Sequence, residues 1–252
     1  MMKKFIWAFF FLIPAASTYS SKPIQELRNL PNKAFDYGET LKYRIHYGFI
    51  DAGTATLKVL PQKKVKNGRL CYHIVAEGRS VSAFDWFFRV RDHFETLVDQ
   101  QTLAPHTFYR NTDEGGYKIK QTVYFDQEKA LAHSDTRNFI PIPLYAQDII
   151  SAFYYARTLD LSQLKINQYY KFPVFLDDQI YQVGFKYLGK EKITTEAGTF
   201  STLKIRPLLL TGRVFSEEEG MTLYVSNDDR KIPIELEAEI LVGSVKMSLV
   251  KG

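Results

Sequence analysis

The densest group of titratable side chains follows directly on an aromatic run and consists of Arg89, Arg91, Asp92, His93 and Glu95. A carboxylate that holds a histidine ring can prepare that ring as a general base. Adjacent residues of a β-strand point to opposite faces, however, so Asp92 and His93 should not meet. We therefore predict that Arg91 and Asp92 form structural ion pairs, across strands or within a turn.

The remaining carboxylates, histidines and serines are not spaced as a catalytic or metal-binding site requires. Asp113 with Glu114, and Asp177 with Asp178, lie in polar turn signals, where short carboxylates bond the local backbone. The five histidines include no short-spaced pair of the kind that binds zinc. The serines stand outside any nucleophile elbow, and no glycine-rich phosphate loop is present. We predict no catalytic residue, no bound metal and no cofactor.

Aromatic residues make up 15% of the chain and are the remaining candidates for a functional site. They gather at residues 84–88 and 153–155, beyond what alternation along a strand requires. If both segments cover a curved sheet, these side chains can line an apolar cleft for a lipid or another hydrophobic group. Ordinary core packing is the alternative. The predicted lining is Tyr43, Tyr47, Phe84, Trp86, Phe87, Phe88, Phe153, Tyr154 and Tyr155.

Strands must position these groups, because apolar and polar residues alternate with a period of two along much of the chain. Glycine, asparagine and aspartate mark turns between the alternating runs. Many short strands at this spacing predict a mainly β fold, with one large antiparallel, strongly curved sheet that forms an open or incomplete barrel. A closed, lipocalin-like barrel is the alternative. The runs cover residues 41–47, 54–59, 117–125, 181–187, 232–240 and 245–249.

One or two short helices are expected to cover the sheet. Asp148 is placed to cap a helix that continues to about Leu159, with apolar residues on one face. A second helical turn is predicted for residues 81–87. We expect structural roles for the two charged residues of the longer helix, Asp148 at its start and Arg157 near its end.

The first 20 residues are typical of a signal peptide, because Lys3 and Lys4 precede a short apolar run and then small residues. Residues 21–252 then form one β-rich domain, in which no apolar run reaches transmembrane length. Removing the two lysines leaves 31 of the 33 basic residues against 28 acidic ones, a formal net charge of +3. This mild, interleaved charge argues against a nucleic-acid surface.

Two pairs of stretches echo each other and indicate two pseudo-repeated half-sheets. Residues 98–105 and 225–233 both end a strand, pass through a polar turn and open the next strand with proline, where its missing N–H costs least. Residues 51–61 and 196–207 both carry the sequence Ala-Gly-Thr before a run that ends in proline.

Short motifs follow one another in a fixed order along nearly the whole mature chain. They are Tyr37-Gly38-Glu39, Ala52-Gly53, Arg91-Asp92, Val98-Asp99, Phe125-Asp126, Asp148 with residues 151–157, Asp177-Asp178, Gly189-Lys190-Glu191, Gly198-Thr199-Phe200, Pro233 and Gly243-Ser244-Val245. This order resembles an exported bacterial family catalogued as domain of unknown function 3108. The resemblance implies a periplasmic β-rich protein without an established activity, and it supplies no catalytic residue.

A more distant similarity is one of architecture alone. The strand–turn–proline units look like those of lipoprotein carriers, whose curved sheets hold acyl chains against covering helices. Because function is argued from a site and not from a fold, this similarity implies only that a curved sheet can accommodate an apolar ligand.

Three functional hypotheses follow for a protein exported into a Gram-negative cell envelope. The first is a non-catalytic periplasmic protein that binds or carries a hydrophobic or amphipathic envelope component, such as a lipid. The second is an interaction protein that docks on an envelope-assembly partner, with Glu235, Glu237 and Glu239 as a candidate face. The third is a hydrolase of envelope polysaccharide or lipid that uses Asp92, His93 or the turn acids.

Overall fold

The computed structural model describes residues 27–211, 214–217, 220–239 and 243–251, with side chains described for residues 27–208, 220–239 and 243–251. The predicted signal peptide, residues 1–20, lies outside these ranges. Neither helix within them has the length and apolar character needed to span a membrane.

The alternating runs of the sequence form strands on both sides of a central helix. The first half contains β1 (Thr40–Tyr47), β2 (Ile50–Val59), β3 (Lys64–Lys66), β4 (Arg69–Ser80), β5 (Val90–Asp99), β6 (Pro105–Glu114), β7 (Tyr117–Asp126), β8 (Leu131–Ser134) and β9 (Ile140–Pro141). Helix α1 (Ser82–Asp85) connects β4 to β5, and helix α2 (Ile149–Thr158) connects β9 to the second half. The second half contains β10 (Tyr169–Leu176), β11 (Gln179–Thr195), β12 (Gly198–Thr211), β13 (Val214–Glu217), β14 (Met221–Ser226), β15 (Pro233–Glu239) and β16 (Ser244–Leu249).

These strands form one antiparallel sheet of 16 strands in the described part of the chain. Its order is β10-β11-β12-β14-β15-β16-β1-β2-β4-β5-β6-β7-β8-β9, with β3 on β4 and β13 on β12. Because β16 pairs with β1, the two halves of the chain meet in the middle of the sheet. The prediction of a large antiparallel sheet is confirmed. The closed-barrel alternative is wrong, because no strand pairing among the described residues joins the edge strands β9 and β10.

Irregular positions bend the sheet into an incomplete barrel. The register shifts after Leu97, Tyr187 and Tyr224, where an extra residue on one strand increases the local twist. At Gly184 on β11, a Cβ atom would lie only 1.7 Å from the carbonyl oxygen of Tyr170 on β10. Only glycine fits at this position, so Gly184 permits the close approach of the two strands.

Side chains join the two edges of the sheet where strand pairing is missing. The ring centroids of Phe125 on β7 and Phe175 on β10 lie 5.6 Å apart. Arg110 on β6 forms an ion pair with Asp177 in the β10–β11 turn. Gln147, just before α2, makes backbone hydrogen bonds to β10 at 2.9 and 2.7 Å. The gap between the edges is therefore bridged, although the sheet itself stays open.

Helix α2 packs on the inner face of the curved sheet and supports its core. Tyr154 is fully buried, and its ring centroid lies 4.8 Å from that of Phe35, which precedes β1. Phe35 also contacts Tyr72 of β4, with 5.0 Å between ring centroids. Ile150 packs against an apolar cluster of β6, β7 and β10, and Leu159 against another of β11, β12 and β14. One short helix therefore contacts three adjoining core clusters.

Both predicted helices are present. The Asp148 carboxylate accepts hydrogen bonds from the N–H groups of Ile150 and Ser151, each at 2.8 Å, and the Ser151 hydroxyl accepts one from the Asp148 N–H at 2.9 Å. This reciprocal cap starts α2 at the predicted position. The predicted second turn is α1, which lies at a strand connection and does not cover the sheet.

The echoing strand–turn–proline stretches fold into similar turns. In each, an aspartate, Asp99 or Asp228, accepts hydrogen bonds from two backbone N–H groups of its own turn. Each turn then passes through a residue of positive φ, Leu103 or Lys231, two positions before the proline. The turns match, whereas the duplication of a whole half-sheet remains a prediction.

Candidate functional site

The titratable cluster on β5 separates onto the two faces of the sheet. On the outer face, the Nε2 atom of His93 lies 2.8 Å from a Glu95 carboxylate oxygen, and His73 binds the other oxygen of Glu95 at 2.7 Å. Asp92 lies on the inner face, where burial and the nearby Glu114 carboxylate raise its pKa to about 6. Asp92 and His93 therefore do not form an acid–base pair.

Arg91 fixes the turn that contains α1. Its guanidinium forms an ion pair with Asp85 and donates a hydrogen bond to the carbonyl oxygen of Ser80 at 3.2 Å. The hydrogen bond from Arg91 keeps the pKa of Asp85 below its usual value. Arg91 thus makes the predicted turn-fixing ion pair, whereas the structure places a second carboxylate, Glu114, beside Asp92.

Arg157 anchors α2 through a buried ion pair. Its Nη1 and Nη2 atoms donate to the two carboxylate oxygens of Glu39 at 2.6 and 2.9 Å, and Nη2 also donates to the carbonyl oxygen of Ala34. The side chains of Arg157 and Glu39 are only 3% and 5% exposed. Arg230, from the β14–β15 loop, is a second and more exposed partner of Glu39.

The structure does not bring the predicted aromatic lining together. Phe153, Tyr154 and Tyr155 contact the core from α2, and Tyr43 is buried with its hydroxyl donating to the carbonyl oxygen of Pro233. Phe84, Trp86, Phe87 and Phe88 instead surround the β4–β5 connection. This connection lies about 20 Å from α2 along β5, since a strand rises about 3.3 Å per residue.

The space beneath α2 is filled. The cavity between Phe153 of the helix and Ile205 of the sheet has a volume of about 40 Å³. That is little more than the share of one water molecule in the liquid, about 30 Å³. A ligand of any length has no room there, so a binding surface must lie elsewhere on the sheet.

A large part of the inner face stays uncovered by α2. Residues opposite each other on antiparallel strands point to the same face. Val59 and Ile74 are paired, and both pack in the cluster that contains Tyr154, so they mark the inner face. Following the register and the alternation from Val59 assigns inner positions on β2, β1, β16, β15 and β14.

Apart from the buried Gly53, the inner positions beyond the helix on these strands are apolar and half-buried. We call this surface the open inner face; it consists of Ile45, Tyr47, Ala55, Leu57, Met221, Leu236, Ala238, Val245 and Met247. It extends roughly 20 Å across the strands, since neighbouring strands lie about 4.8 Å apart. Tyr47 is the member of the predicted lining that belongs to it.

The outer face of the same strands is polar. Its side chains include Arg44, His46, Thr54, Thr56, Thr222, Tyr224, Glu235, Glu237, Lys246 and Ser248. The glutamates that sequence offered as an acidic docking face are largely neutralised by β16. Glu235 is 7% exposed and binds Lys246 at 3.1 Å, and Glu237 binds the same ammonium at 3.4 Å. Only Glu239 of this stripe is well exposed.

A polar patch adjoins the open inner face on the far side of β4. Asp92 of β5 pairs with Thr112 of β6, and Arg110 of β6 pairs with Gln121 of β7. These residues share a face with Thr96, whose hydroxyl binds Asp148. Within the described residues, Asp92 Oδ1 and Arg110 Nε are buried without a hydrogen-bond partner. The inner surface is therefore amphipathic, with an apolar wall and a polar wall.

The larger concavities of the described residues are lined mainly by polar groups, as two of them illustrate. One, of about 540 Å³, lies beyond α2 near Asn32 and Glu39, which bind Tyr72 and Arg157 respectively. The other, of about 480 Å³, lies on the outer face around His93. Among the described residues, no three Cys, His, Asp or Glu side chains are grouped so as to hold a metal ion.

These features define a class of protein, an open barrel-like antiparallel sheet folded around one helix, with an apolar inner surface left uncovered. The chain belongs to the family described as Protein of unknown function (DUF3108), whose model matches residues 42–250. The resemblance noted from the sequence motifs is thereby confirmed.

Comparison with solved structures supports the architecture. The β-barrel-like protein of domain of unknown function DUF1849 from Brucella abortus matches with a TM-score of 0.52 at 10% identity, over 90% of this chain and 98% of that chain. A Parabacteroides distasonis protein provisionally classed as a lipoprotein gives a TM-score of 0.36 at 11% identity, over 89% and 98% of the two chains. The first match shows a shared fold. A search of curated proteins found no match.

Proposed function

We propose that this protein binds a hydrophobic or amphipathic component of the cell envelope on the open inner face. It acts without catalysis, as a periplasmic binding or carrier protein. The observation that carries the proposal is the row of apolar side chains on β2, β1, β16, β15 and β14 that remain partly exposed to solvent on the inner face.

The uncovered surface gives a driving force for binding. Removing apolar surface from water contributes about 25 cal/mol per Å². Monomeric proteins seldom leave large contiguous apolar patches exposed unless these bind something. A concave apolar sheet face of this width fits an acyl chain or a similar elongated group better than a compact polar metabolite.

The polar wall indicates the kind of ligand. Asp92 and Arg110 each present a buried polar atom without a partner, beside the apolar wall. Buried polar groups without partners are costly, and a ligand with a hydrogen-bonding head group can satisfy them. An amphipathic ligand, with its chain on the open inner face and its head group toward β5 and β6, therefore fits best.

A non-catalytic role is supported by the arrangement of the charged residues. Asp92 and His93 point to opposite faces, and Arg91, Asp148 and Arg157 bind other parts of the fold. A periplasmic location is supported by the signal-peptide pattern of residues 1–20. Export would place the protein where envelope lipids travel between membranes.

The direct test is mass spectrometry of organic extracts from the protein purified without detergent. We expect an envelope lipid or another amphipathic molecule to co-purify. An extract free of such molecules, together with failure of the protein to bind the apolar dye N-phenylnaphthylamine, would remove the proposal.

A double substitution on the open inner face is expected to weaken dye binding about tenfold or more. Leu236 and Met247 are register partners on β15 and β16, and Leu236→Gln with Met247→Gln places two amides on the apolar surface. The matched control is Glu237→Gln with Lys246→Gln, on the same two strands but on the outer face. Titration with N-phenylnaphthylamine measures both variants. Equal dye affinity for the two would contradict the assignment of the inner face.

A further inference from the structure

We infer that the hairpin tips surrounding the open inner face dock on the surface of a lipid bilayer. The inference rests on the proposed function, because it supplies the route by which an amphipathic ligand reaches the inner face. It also accounts for the aromatic residues that the structure leaves outside the core.

Three connections lie at the same end of the sheet as the open inner face. They are the β1–β2 turn, the β4–β5 connection with α1, and the β6–β7 turn. They share one end of the sheet because β1, β2, β4, β5, β6 and β7 are neighbours in this order and each pairs antiparallel with the next. Each connection carries an exposed large apolar side chain. We call this set the aromatic rim; it consists of Phe49, Ile50, Trp86, Phe87, Phe88 and Tyr117.

The aromatic rim projects into solvent to an unusual degree. Phe49 is 101% exposed, Trp86 82% and Phe87 75%. Single apolar residues scattered over a surface are normal in soluble proteins. Several large apolar side chains at neighbouring hairpin tips are unusual and require a functional explanation. Such a concentration at one end of the molecule marks an interaction surface.

The part of the rim on the β4–β5 connection and the β6–β7 turn is held in place by specific contacts. Val90 N–H donates to the Ser80 hydroxyl at 2.9 Å, and Arg91 binds Asp85 across the same turn. The Phe88 ring lies against Gly115 of the β6–β7 turn, where a Cβ atom would come within 2.5 Å of it. These two tips are therefore arranged in advance, so that docking costs them little ordering entropy.

The chemistry of the tips favours a bilayer over a protein partner. Tryptophan and tyrosine are enriched at the membrane–water interface, where an apolar ring with one polar atom fits best. Arg89 and Lys118 flank the rim, and both share the single carboxylate of Asp113, at 3.5 and 3.9 Å. Asp51, Asp85 and Glu114 lie at the same tips, so the rim carries no surplus of positive charge, and its apolar rings are what favour the bilayer. A docked rim would open the inner face directly toward the acyl chains.

Trp86 reports on docking without any label. The chain contains two tryptophans, Trp7 and Trp86, and the first lies in the predicted signal peptide. In the exported protein, with loss of Trp7 verified by mass, the fluorescence comes from Trp86 alone. With vesicles of phosphatidylethanolamine and phosphatidylglycerol, we expect its emission to shift to shorter wavelength and the protein to float with the vesicles.

The test variant is Phe49→Ser with Phe87→Ser, which keeps the Trp86 reporter. We expect its partition into vesicles to fall about tenfold or more, since two interfacial aromatic rings are lost. The matched control is Val65→Ser with Ile166→Ser, two apolar side chains that are 65% and 66% exposed elsewhere on the surface. All four positions are exposed, so thermal unfolding should remain unchanged in both variants.

Each outcome separates docking from ligand binding. The rim variant should still bind N-phenylnaphthylamine in vesicle-free buffer, and the inner-face variant Leu236→Gln with Met247→Gln should still float with vesicles. No shift of Trp86 emission and no flotation of the unmodified protein would overturn the inference while leaving the proposed function standing. Equal losses of flotation in the rim and control variants would overturn it as well.

Discussion

Replacing Arg157 by alanine is expected to lower the free energy of unfolding by about 3–5 kcal/mol. The guanidinium holds Glu39 through two hydrogen bonds, and both side chains are almost completely buried. Without Arg157, a buried carboxylate keeps only the more exposed partner Arg230. Urea unfolding followed by circular dichroism at neutral pH measures the loss.

A surface ion pair supplies the matched control for this prediction. Arg44 on β1 binds Asp51 and Glu196, but its side chain is 33% exposed and those of its partners are 55% and 61% exposed. Arg44→Ala should therefore cost far less than Arg157→Ala, because exposed ion pairs are screened by water and contribute little to stability. Similar losses for the two arginine variants would contradict the view that burial makes the Arg157 pair important.

The double variant Arg157→Met with Glu39→Leu distinguishes two quantities. One is the net contribution of the ion pair to stability, and the other is the cost of leaving one buried charge without its partner. Replacing a buried ion pair by apolar residues of similar volume is often neutral or stabilising. We expect the double variant to be more stable than either single variant. It loses the contacts to Ala34 and Arg230, however, so α2 should be less firmly tied to the segment before β1 and to the β14–β15 loop.

The position of α2 determines how much of the inner face is open, so this ion pair also bears on the proposed site. A helix of ten residues is about 15 Å long. Strand β2, also of ten residues, is about 33 Å long. The helix can therefore cover less than half of the strand length. Arg157 and Asp148, at its two ends, keep it at the end of the sheet away from the hairpin tips.

The strands and helices were largely predictable from local sequence. The alternation at residues 41–47 and 54–59 follows from the two faces of a strand, and β1 and β2 begin and end within a few residues of these runs. The Asp148 cap of α2 is also a local signal. Such local signals predict a strand or a helix cap without any information about the tertiary contacts of the element.

Sequence could not say which apolar positions stay uncovered. Leu236 and Met247 alternate with polar neighbours like any core-facing residues, and they do point inward. Their partial exposure depends on the pairing of β15 with β16 and on the short reach of α2. The pairing of β16 with β1 joins residues about 200 positions apart, which no local pattern indicates.

The aromatic run at residues 84–88 was misplaced for a related reason. Its composition is that of a core segment, and composition alone predicts that it lines a cleft together with residues 153–155. The fold instead puts the run at a strand connection, where Trp86 and Phe87 have no neighbouring element to pack against among the described residues except each other, at 4.6 Å between ring centroids. An exposed aromatic tip and a buried one look alike in a sequence.

Asp148→Asn is expected to remove a pH dependence of stability that the native protein shows between about pH 4 and pH 6. Asp148 is fully buried, and this burial raises its pKa to about 6 although Thr96 and two backbone N–H groups donate to the carboxylate. In the unfolded chain its pKa is about 3.9. The folded state therefore holds a proton that the unfolded state releases, and the free energy of unfolding falls as pH rises through this window.

The size of the effect follows from the difference between the two pKa values. About two pKa units correspond to about 2–3 kcal/mol, present at low pH and lost as the pH passes 6. Asparagine caps a helix about as well as aspartate and carries no charge, so the variant should keep its stability across the window. Urea unfolding of both proteins from pH 4 to pH 7.5 gives the difference, in which titrations at other sites cancel.

The alanine variant tests the cap itself. Asp148→Ala leaves Ile150 N–H, Ser151 N–H and the Thr96 hydroxyl without their acceptor, at a cost of about 2 kcal/mol or more at any pH. If the native protein instead gained stability over Asp148→Asn as pH rises, the three donors would outweigh burial and hold the carboxylate ionised. The sign of that difference therefore decides whether desolvation or hydrogen bonding governs the residue that starts α2.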